Sequence, residues 1–405
     1  MADDRIPFSP PRIDEVTIQA VTDVLRSGWI TSGPQLRAFE AEVSAYVHDR
    51  AVICLNSWTN ACELVLRWFG VGPGDEVILP AYTYAATANI VMHVGATPVL
   101  VDVVPGTCHI DVAALESAIT PKTKVVLPVD IGGMPVDYDG IMAILKDKSD
   151  AFVPSNEIQK LLGRVLFLAD AAHSFGANYK GEMIGTQADV TGYSFHAVKN
   201  LTTAEGGALA FNLPAPFDNY GVRNRMRISS LHGQTKDAFS KTVGGGWRYD
   251  VIEAGYKCNM TDLQAAIGLV ELRRYDETLG WRKRTCELYN QLFSAVPEVE
   301  TPAFENADSE SSYHLYMLRV NQCSEEQRDA LIDRIQEKGV AVNVHFQPLP
   351  LLSFYKDLGY KMDDYPNAFA FYKNEISLPV WFGLADHQVT RIVRNVVDSI
   401  RETLQ

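Results

Sequence analysis

Lys199 stands between Val198 and Asn200 in the stretch DVTGYSFHAVKNLTTAEGG, which runs from Asp189 to Gly207. The first half reads as a buried strand with Val190, Tyr193 and Phe195, the second as a small, polar, glycine-ended loop. Most lysines are solvated and do nothing specific. An ammonium among small and apolar residues is desolvated, its pKa falls, and the neutral amine can attack a carbonyl. Two more clusters sit where predicted strands end. Asp170 closes VLFLADAAHS, and a carboxylate behind such an apolar run is costly to bury without a cationic partner. Its ordinary reading is an exposed strand-end Asp or a helix cap. Asn56-Ser57-Trp58-Thr59-Asn60 ends a strand and begins a helix, where Ser57 or Thr59 can cap and free N–H groups make an anion site. A simple N-cap is the ordinary reading there. His173, taken alone, reads as a satisfied core or surface histidine. A lysine nucleophile, a carboxylate for a pyridinium nitrogen and a helix-end phosphate cup are together what pyridoxal 5'-phosphate requires. The combination is far more specific than any one part.

The elements that must position these residues follow an α/β pattern, short apolar runs alternating with amphipathic segments. AVICLNS reads as a strand and TNACELVLRWFG as a helix, with Ala61, Leu64, Val65, Trp68 and Phe69 on one face. GPGDEVILPAYTY gives a turn, a strand and a loop; TPVLVDV, TKVVLPVDI and RVLFLADAAHS give three more buried strands. GYSFHAV and GALAFN flank the Lys199 loop. The polar segment 146–163 widens one crossover and reads as a surface insertion. At Thr261 the pattern changes: TDLQ has the form of a capping box, and helix is expected through about Ala295 with possible breaks. SSYHLYMLRV then reads as a strand, EEQRDALIDRIQEKG as a helix and VAVNVHFQPL as another strand. The expected organisation is an N-terminal segment and large α/β domain with a mostly parallel sheet (1–260), a connecting helical region (261–295) and a smaller C-terminal α+β domain (296–405).

Composition bounds the function. The chain of 405 residues suits two or three domains, and a formal charge of −14 argues against nucleic acid as the main partner. The six cysteines are scattered without a C-x-x-C pair, which favours a reduced, cytoplasmic setting and offers no zinc spacing. No metal site is expected. The N-terminus has no apolar leader, no run approaches membrane-spanning length, and there is no internal repeat or low-complexity tract.

SFHAVKNLTTAEGG resembles the signature of the DegT/StrS family of sugar aminotransferases, which use pyridoxal phosphate. SGWITSGPQLRAFE, NSWTNA, GDEVILPAYTYAATANIV, GATPVLVDV, ADAAHSFGA, GYKCNMTDLQAAIGLVEL, VHFQPL and SLPV follow in family order and span nearly the whole chain. The resemblance implies the fold of aspartate aminotransferase-like enzymes and the following roles. Lys199 carries the cofactor covalently and later shuttles a proton. Asp170 pairs with the pyridinium nitrogen, His173 lies near the ring or its phenolic oxygen, and Tyr84 stacks on the ring. Ser194, Thr59 and the backbone from Trp58 to Asn60 hold the phosphate. Lys257 or Asn259 completes the phosphate cup of the neighbouring subunit, and His232, His314 and His345 approach substrate. Trp58 stands where many relatives carry Gly, Lys257 and Asn259 replace the Asn and Arg of a common variant, and segment 146–163 has no counterpart.

The expected reaction moves an amino group from L-glutamate, by way of the pyridoxamine phosphate form, to carbon 4 of a nucleotide-linked keto-deoxyhexose. Its setting would be amino-sugar biosynthesis for a surface polysaccharide or glycosylated product, in a homodimer with shared sites. Alternatives are amination of a keto-cyclitol or keto-sugar phosphate, or a non-catalytic sensor binding the cofactor or a sugar nucleotide. The intact Lys199, Asp170 and Ser194 argue against a sensor, and Lys199 argues against a dehydratase on this fold.

Overall fold

The computed structural model describes residues 5–236 and 248–404. Its strands are β1 (Ala51–Leu55), β2 (Glu76–Pro80), β3 (Thr97–Val101), β4 (Thr123–Val126), β5 (Leu166–Asp170), β6 (Asn178–Tyr179), β7 (Glu182–Met183), β8 (Val190–Ser194), β9 (Gly207–Phe211), β10 (Val299–Glu300), β11 (Ser309–Glu310), β12 (Tyr316–Val320) and β13 (Glu375–Leu378). A seven-stranded sheet has the order β1-β9-β8-β5-β4-β2-β3. Only β9 runs against its neighbours; the other contacts, from β8 through β3, are parallel.

Strands buried on both faces must be apolar at every position, which is why these runs do not alternate with polar residues. In β1, Ala51, Ile53 and Leu55 join one core and Val52 and Cys54 the other. In β5, Leu166 and Leu168 face the first core while Phe167 and Ala169 face the second. Helices cover both faces, so only the strand ends are left for chemistry. The six cysteines are unpaired and buried.

The expected capping box at Thr261 is present, opening the helix Asp262–Arg273. The expected long helix breaks once: Arg274 (φ −116°) separates that helix from Tyr275–Phe293 and sends its guanidinium to Asp14 at 2.5 Å. Asp262 accepts from the backbone N–H groups of Gly33, Gln35 and Leu36, capping the helix Pro34–Tyr46 whose own N-cap is a glycine.

Beyond these helices, β12 pairs antiparallel with β10 and β13. The helices Glu325–Glu337 and Asp386–Leu404 pack over this small sheet in a third core, which also takes in Ile6. Segment 349–372 turns back to the large sheet, with Leu349, Tyr355 and Phe371 in its first core.

The run VAVNVHFQPL is not the strand its pattern suggested. It makes isolated bridges only, Val340 to Ile6 and Asn343 to Ser377. Tertiary bonds take its backbone elsewhere: the Leu349 N–H donates to Ala81 O at 2.9 Å, the Tyr82 hydroxyl donates to His345 O at 2.7 Å, and Pro348 has no donor. The third strand of the small sheet is instead Glu375–Leu378. Segment 146–163 is also more than surface. It holds the short helix Glu157–Leu162, in which Gln159 is fully buried, and Asn156 and Gln159 both donate to Phe69 O, at 3.0 and 2.8 Å.

Candidate active site

A cavity of about 640 Å³ lies at the carboxyl ends of the parallel strands. In open α/β sheets this is where ligands bind. Each sequence-predicted cluster arrives here because its strand ends here. β1 leads to Ser57, which caps the helix Trp58–Phe69 by accepting from Asn60 N–H at 3.1 Å. The N–H groups of Trp58 and Thr59, in the first helical turn, have no intrahelical acceptor. Gly207, the first residue of β9, lets that strand lie against the turn: a Cβ there would stand 2.3 Å from the Trp58 nitrogen. The Trp58 side chain turns into the core, 5% exposed, and fits because Gly192 leaves space; a Cβ at 192 would be 2.9 Å from its Nε1. Trp58 therefore alters packing under this helix start and leaves its N–H donors in place.

Asp170 ends β5 and is 4% exposed. Thr87 Oγ1 donates to its Oδ2 at 3.0 Å and the Ala172 N–H to its Oδ1 at 3.1 Å. Burial pushes its pKa up to about 7, although these donors and the nearby Lys199 pull it down. Lys199 follows β8 and lines the same cavity, and its amine has no hydrogen-bond partner among the described residues. Desolvation brings its pKa down to about 8 against the opposing field of Asp170. A substantial fraction of neutral amine is thus present near neutral pH. Ser194 lines the cavity at the end of β8.

Three buried or half-buried histidines line the cavity: His173, His314 and His345. The His173 Nδ1 accepts from Gly132 N–H at 3.2 Å, which puts the ring hydrogen on Nε2. The His314 ring lies 4.4 Å from it, with Nδ1 2.8 Å from Asn200 Oδ1. Because Asn200 Nδ2 donates to Ser312 O at 2.7 Å, its Oδ1 is the acceptor and His314 Nδ1 carries a hydrogen. Burial, reinforced by Lys199, holds all three well below the ordinary histidine range, His345 at about 3. They are neutral imidazoles at pH 7. Tyr84 stands at the mouth, 61% exposed, with its ring 5.4 Å from Phe346.

His232, Lys257 and Asn259 do not line this cavity. His232 and Lys257 are exposed, and Leu231 bridges to Lys257. Lys257 Nζ donates to Asn259 Oδ1, and Asn259 Nδ2 donates to Ser32 Oγ at 2.7 Å. Sequence reasoning also missed residues that belong to the site. Thr87 sits on the helix Ala85–His93, a stretch the sequence reading did not assign as a helix. Phe8 and Ser9 reach the cavity from the N-terminal segment, and Phe346 from the misread strand.

These residues fit pyridoxal phosphate. The buried Asp170 carboxylate faces the cavity with only neutral donors on it, so a cationic ring N–H there would hold it ionised. The helix start supplies unpaired N–H groups for a phosphate, and the Lys199 amine is free to react. Such a fold and site define a pyridoxal-phosphate-dependent transferase.

The chain belongs to the DegT/DnrJ/EryC1/StrS aminotransferase family, whose profile it matches over residues 11–397. It is similar to a protein described as a sugar aminotransferase, Spr1654 of Streptococcus pneumoniae. The PMP-form structure of that protein has a TM-score of 0.95 at 45% identity, covering 98% of this chain and 100% of that one. The PLP form gives 0.94 at 44% identity, covering 99% and 100%. The spore coat polysaccharide biosynthesis protein SpsC of Bacillus subtilis is 38% identical over 400 residues, 98% of this chain and 97% of that protein. PseC of Helicobacter pylori, an aminotransferase involved in pseudoaminic acid biosynthesis, has a TM-score of 0.86 at 26% identity, covering 98% and 100%. The protein is thus a pyridoxal-phosphate-dependent sugar aminotransferase, and the expected fold class, enzyme class and cofactor hold.

Proposed function

We propose that the enzyme transfers the amino group of L-glutamate to carbon 4 of a nucleotide-linked keto-deoxyhexose, for a surface polysaccharide or a glycosylated product. The observation that carries this reading is the convergence of Lys199, Asp170 and the Trp58 helix start on one cavity. The described roles of SpsC, in spore coat polysaccharide biosynthesis, and of PseC, in pseudoaminic acid biosynthesis, support the sugar class.

In this reading the free N–H groups of Trp58 and Thr59, in the backbone run from Trp58 to Asn60, with the hydroxyls of Thr59 and Ser194, would hold the cofactor phosphate. Asp170 would hold the ring nitrogen, with Thr87 and Ala172 fixing the carboxylate, and Tyr84 and His173 would contact the cofactor. When bound, pyridoxal phosphate supplies the electron sink that lets an amino group leave one carbon and join another. Lys199 would carry the cofactor covalently. Its released amine, neutral in a fair fraction near pH 8, takes a proton from the substrate carbon and returns it. His314 and His345 approach the substrate as neutral hydrogen-bonding groups.

A homodimer with shared sites is part of the proposal. His232, Lys257 and Asn259 lie beside an exposed apolar strip, Tyr249, Val251, Ile252 and Tyr256, each 41–54% exposed. In a closed two-fold pair this strip would face the partner and bring those polar residues to its cavity. The enzyme is proposed to act in the cytoplasm; among the described residues no helix is long and apolar enough to cross a membrane.

The test is an assay of the purified protein with L-glutamate and a panel of nucleotide-linked 4-keto and 3-keto sugars, keto-cyclitols and free keto-sugar phosphates. Turnover of a nucleotide 4-keto sugar well above the others is expected. Preference for a cyclitol or an unlinked sugar would overturn the substrate assignment. Cofactor binding without turnover of any member would favour a sensor.

A further inference from the structure

Glu375 is a fully buried acid at the start of β13. No cation contacts its carboxylate among the described residues. Arg328 donates from Nη1 to the main-chain oxygens of Tyr372 (2.7 Å) and Glu375 (3.2 Å) and from Nε to Asp329. The Glu375 oxygens instead engage His345 twice. Oε2 accepts the His345 main-chain N–H at 3.0 Å. Oε1 accepts the Ser377 hydroxyl at 2.5 Å, and Ser377 Oγ lies 2.9 Å from His345 Nδ1. Tyr82 holds the His345 carbonyl, and Phe8 stacks on the ring at 5.4 Å and 22°. The ring lines the cavity, and its Nε2 has no hydrogen-bond partner among the described residues.

A hydroxyl between an imidazole and a carboxylate has one hydrogen to donate. With Glu375 ionised, Ser377 donates to Oε1 and accepts from Nδ1–H, so Nε2 is a bare acceptor. With Glu375 protonated, every bond reverses: Oε1–H donates to Oγ, Oγ–H to Nδ1, and Nε2 carries the hydrogen. We infer that Glu375, Ser377 and His345 form a proton relay, in which His345 Nε2 exchanges a proton with the amino donor in the cavity and Glu375 stores it. The atoms balance. A substrate N–H bond breaks as Nε2–H forms, Nδ1–H breaks as Oγ–H forms, and Oγ–H breaks as Oε1–H forms. An amino donor arrives as an ammonium and must lose one proton before its nitrogen is a nucleophile. The relay neutralises that ammonium and a buried carboxylate together, and His345 is uncharged before and after.

The electrostatics open this route as pH rises toward 8, where Glu375 becomes ionised and can accept a proton. Burial and Lys199 hold His345 at about 3, so it cannot store the proton itself. Burial pushes Glu375 up to about 8, with Ser377, the His345 N–H and Arg328 pulling the other way. Around Glu375 the other titratable groups are Tyr82 and Cys108, both pushed up by burial and therefore neutral, and Arg319 across the strand pair, which binds Glu300. Around His345 they are Lys199, His173 and His314.

The relay rests on the aminotransferase reading for what enters the cavity, but its tautomer can be read without turnover. In protein carrying 15N-labelled histidine, with His345 assigned by its loss in His345→Asn, the Nδ1–H tautomer is expected at high pH and Nε2–H at low pH. The crossover should fall near pH 8. Glu375→Gln fixes Nε2–H throughout, because its amide must donate to Ser377; Ser377→Ala abolishes the crossover and stands in if Glu375→Gln does not fold. Each variant should lose about tenfold to a hundredfold in kcat/KM for L-glutamate and the matching limb of its pH profile. A wild-type tautomer that ignores pH, or cofactor-loaded variants with the wild-type kcat/KM profile, overturns the relay. A titrating tautomer in a protein inactive with the whole sugar panel supports the relay and counts against the assigned reaction.

Discussion

Asp170 and Lys199 face one cavity without forming an ion pair: the Asp170 oxygens are taken by Thr87 and Ala172, and the Lys199 amine stands free. Burial moves both groups toward neutrality, and each one's field opposes the other's shift. The site thus keeps its nucleophile close to deprotonation and its carboxylate close to protonation until a cation enters.

That arrangement sets a pH dependence. The neutral fraction of Lys199 rises as pH climbs toward about 8. Covalent capture of pyridoxal phosphate by cofactor-free protein should accelerate about tenfold per pH unit below that value and level off above it. Asp170 raises the Lys199 pKa, so Asp170→Asn should move the plateau to lower pH while weakening cofactor retention. Rapid-mixing absorbance across the pH range reads both. A midpoint in Asp170→Asn that stays put or moves up would remove the coupling.

Thr87→Val tests the support of Asp170. The substitution keeps the side-chain shape and deletes a buried donor to a carboxylate, which is worth about 1.5–3 kcal/mol. Without it the ionised form of Asp170 is less favoured. Cofactor affinity should fall roughly tenfold or more, since about 1.4 kcal/mol is a factor of ten. Equilibrium dialysis measures it, and an unchanged affinity would mean that Ala172 alone positions the carboxylate.

The difference between Asp170 and Thr87 shows what a sequence discloses. Asp170 was legible because a charge closing an apolar strand has few ordinary explanations, and Lys199 because its loop is small and polar beside a buried strand. Thr87 lies 83 residues from the carboxylate it serves, on a helix that fits its own local pattern. Nothing local marks it. Glu375 stayed hidden for the same reason, because its partners depend on how β13 meets segment 340–346. That segment also misled: its apolar alternation suits a strand, but Tyr82 and Glu375 take its carbonyl and N–H groups sideways. The sheet itself was readable strand by strand, since burial on both faces leaves long apolar runs. Its order was not, because pairing between distant strands has no local signature.

Segment 146–163 read as surface, yet two of its amides serve the helix Trp58–Phe69. Asn156 and Gln159 both donate to Phe69 O at the far end of that helix. Asn156→Ala with Gln159→Ala leaves a buried carbonyl without its side-chain donors, at a cost of about 1–3 kcal/mol. Denaturant unfolding should show the loss, with each single variant milder than the pair. Cofactor affinity should change little, because the N–H donors at Trp58 and Thr59 are untouched. A pair variant as stable as wild type would return the segment to a surface role.

Complementation tests the shared site. His232, Lys257 and Asn259 lie outside the cavity of their own chain and next to an exposed apolar strip. If the strip is a two-fold interface, each cavity takes Lys199 from one chain and Lys257 or Asn259 from the other. Lys199→Ala chains and Lys257→Ala/Asn259→Ala chains should each be inactive as homodimers. Co-expressed with different tags and purified for both, they form heterodimers in which one cavity carries both lesions and the other neither. Such heterodimers should recover about half the wild-type activity per dimer, one of two reciprocal sites being intact. Co-expression is used because restoration after mixing would depend on subunit exchange. Inactive doubly tagged dimers, or a fully active monomer at assay concentration, would mean that Lys257 and Asn259 serve the cavity of their own chain. Cofactor capture by Lys199 would survive that outcome, because Lys199, Asp170 and the Trp58 helix start come from one chain.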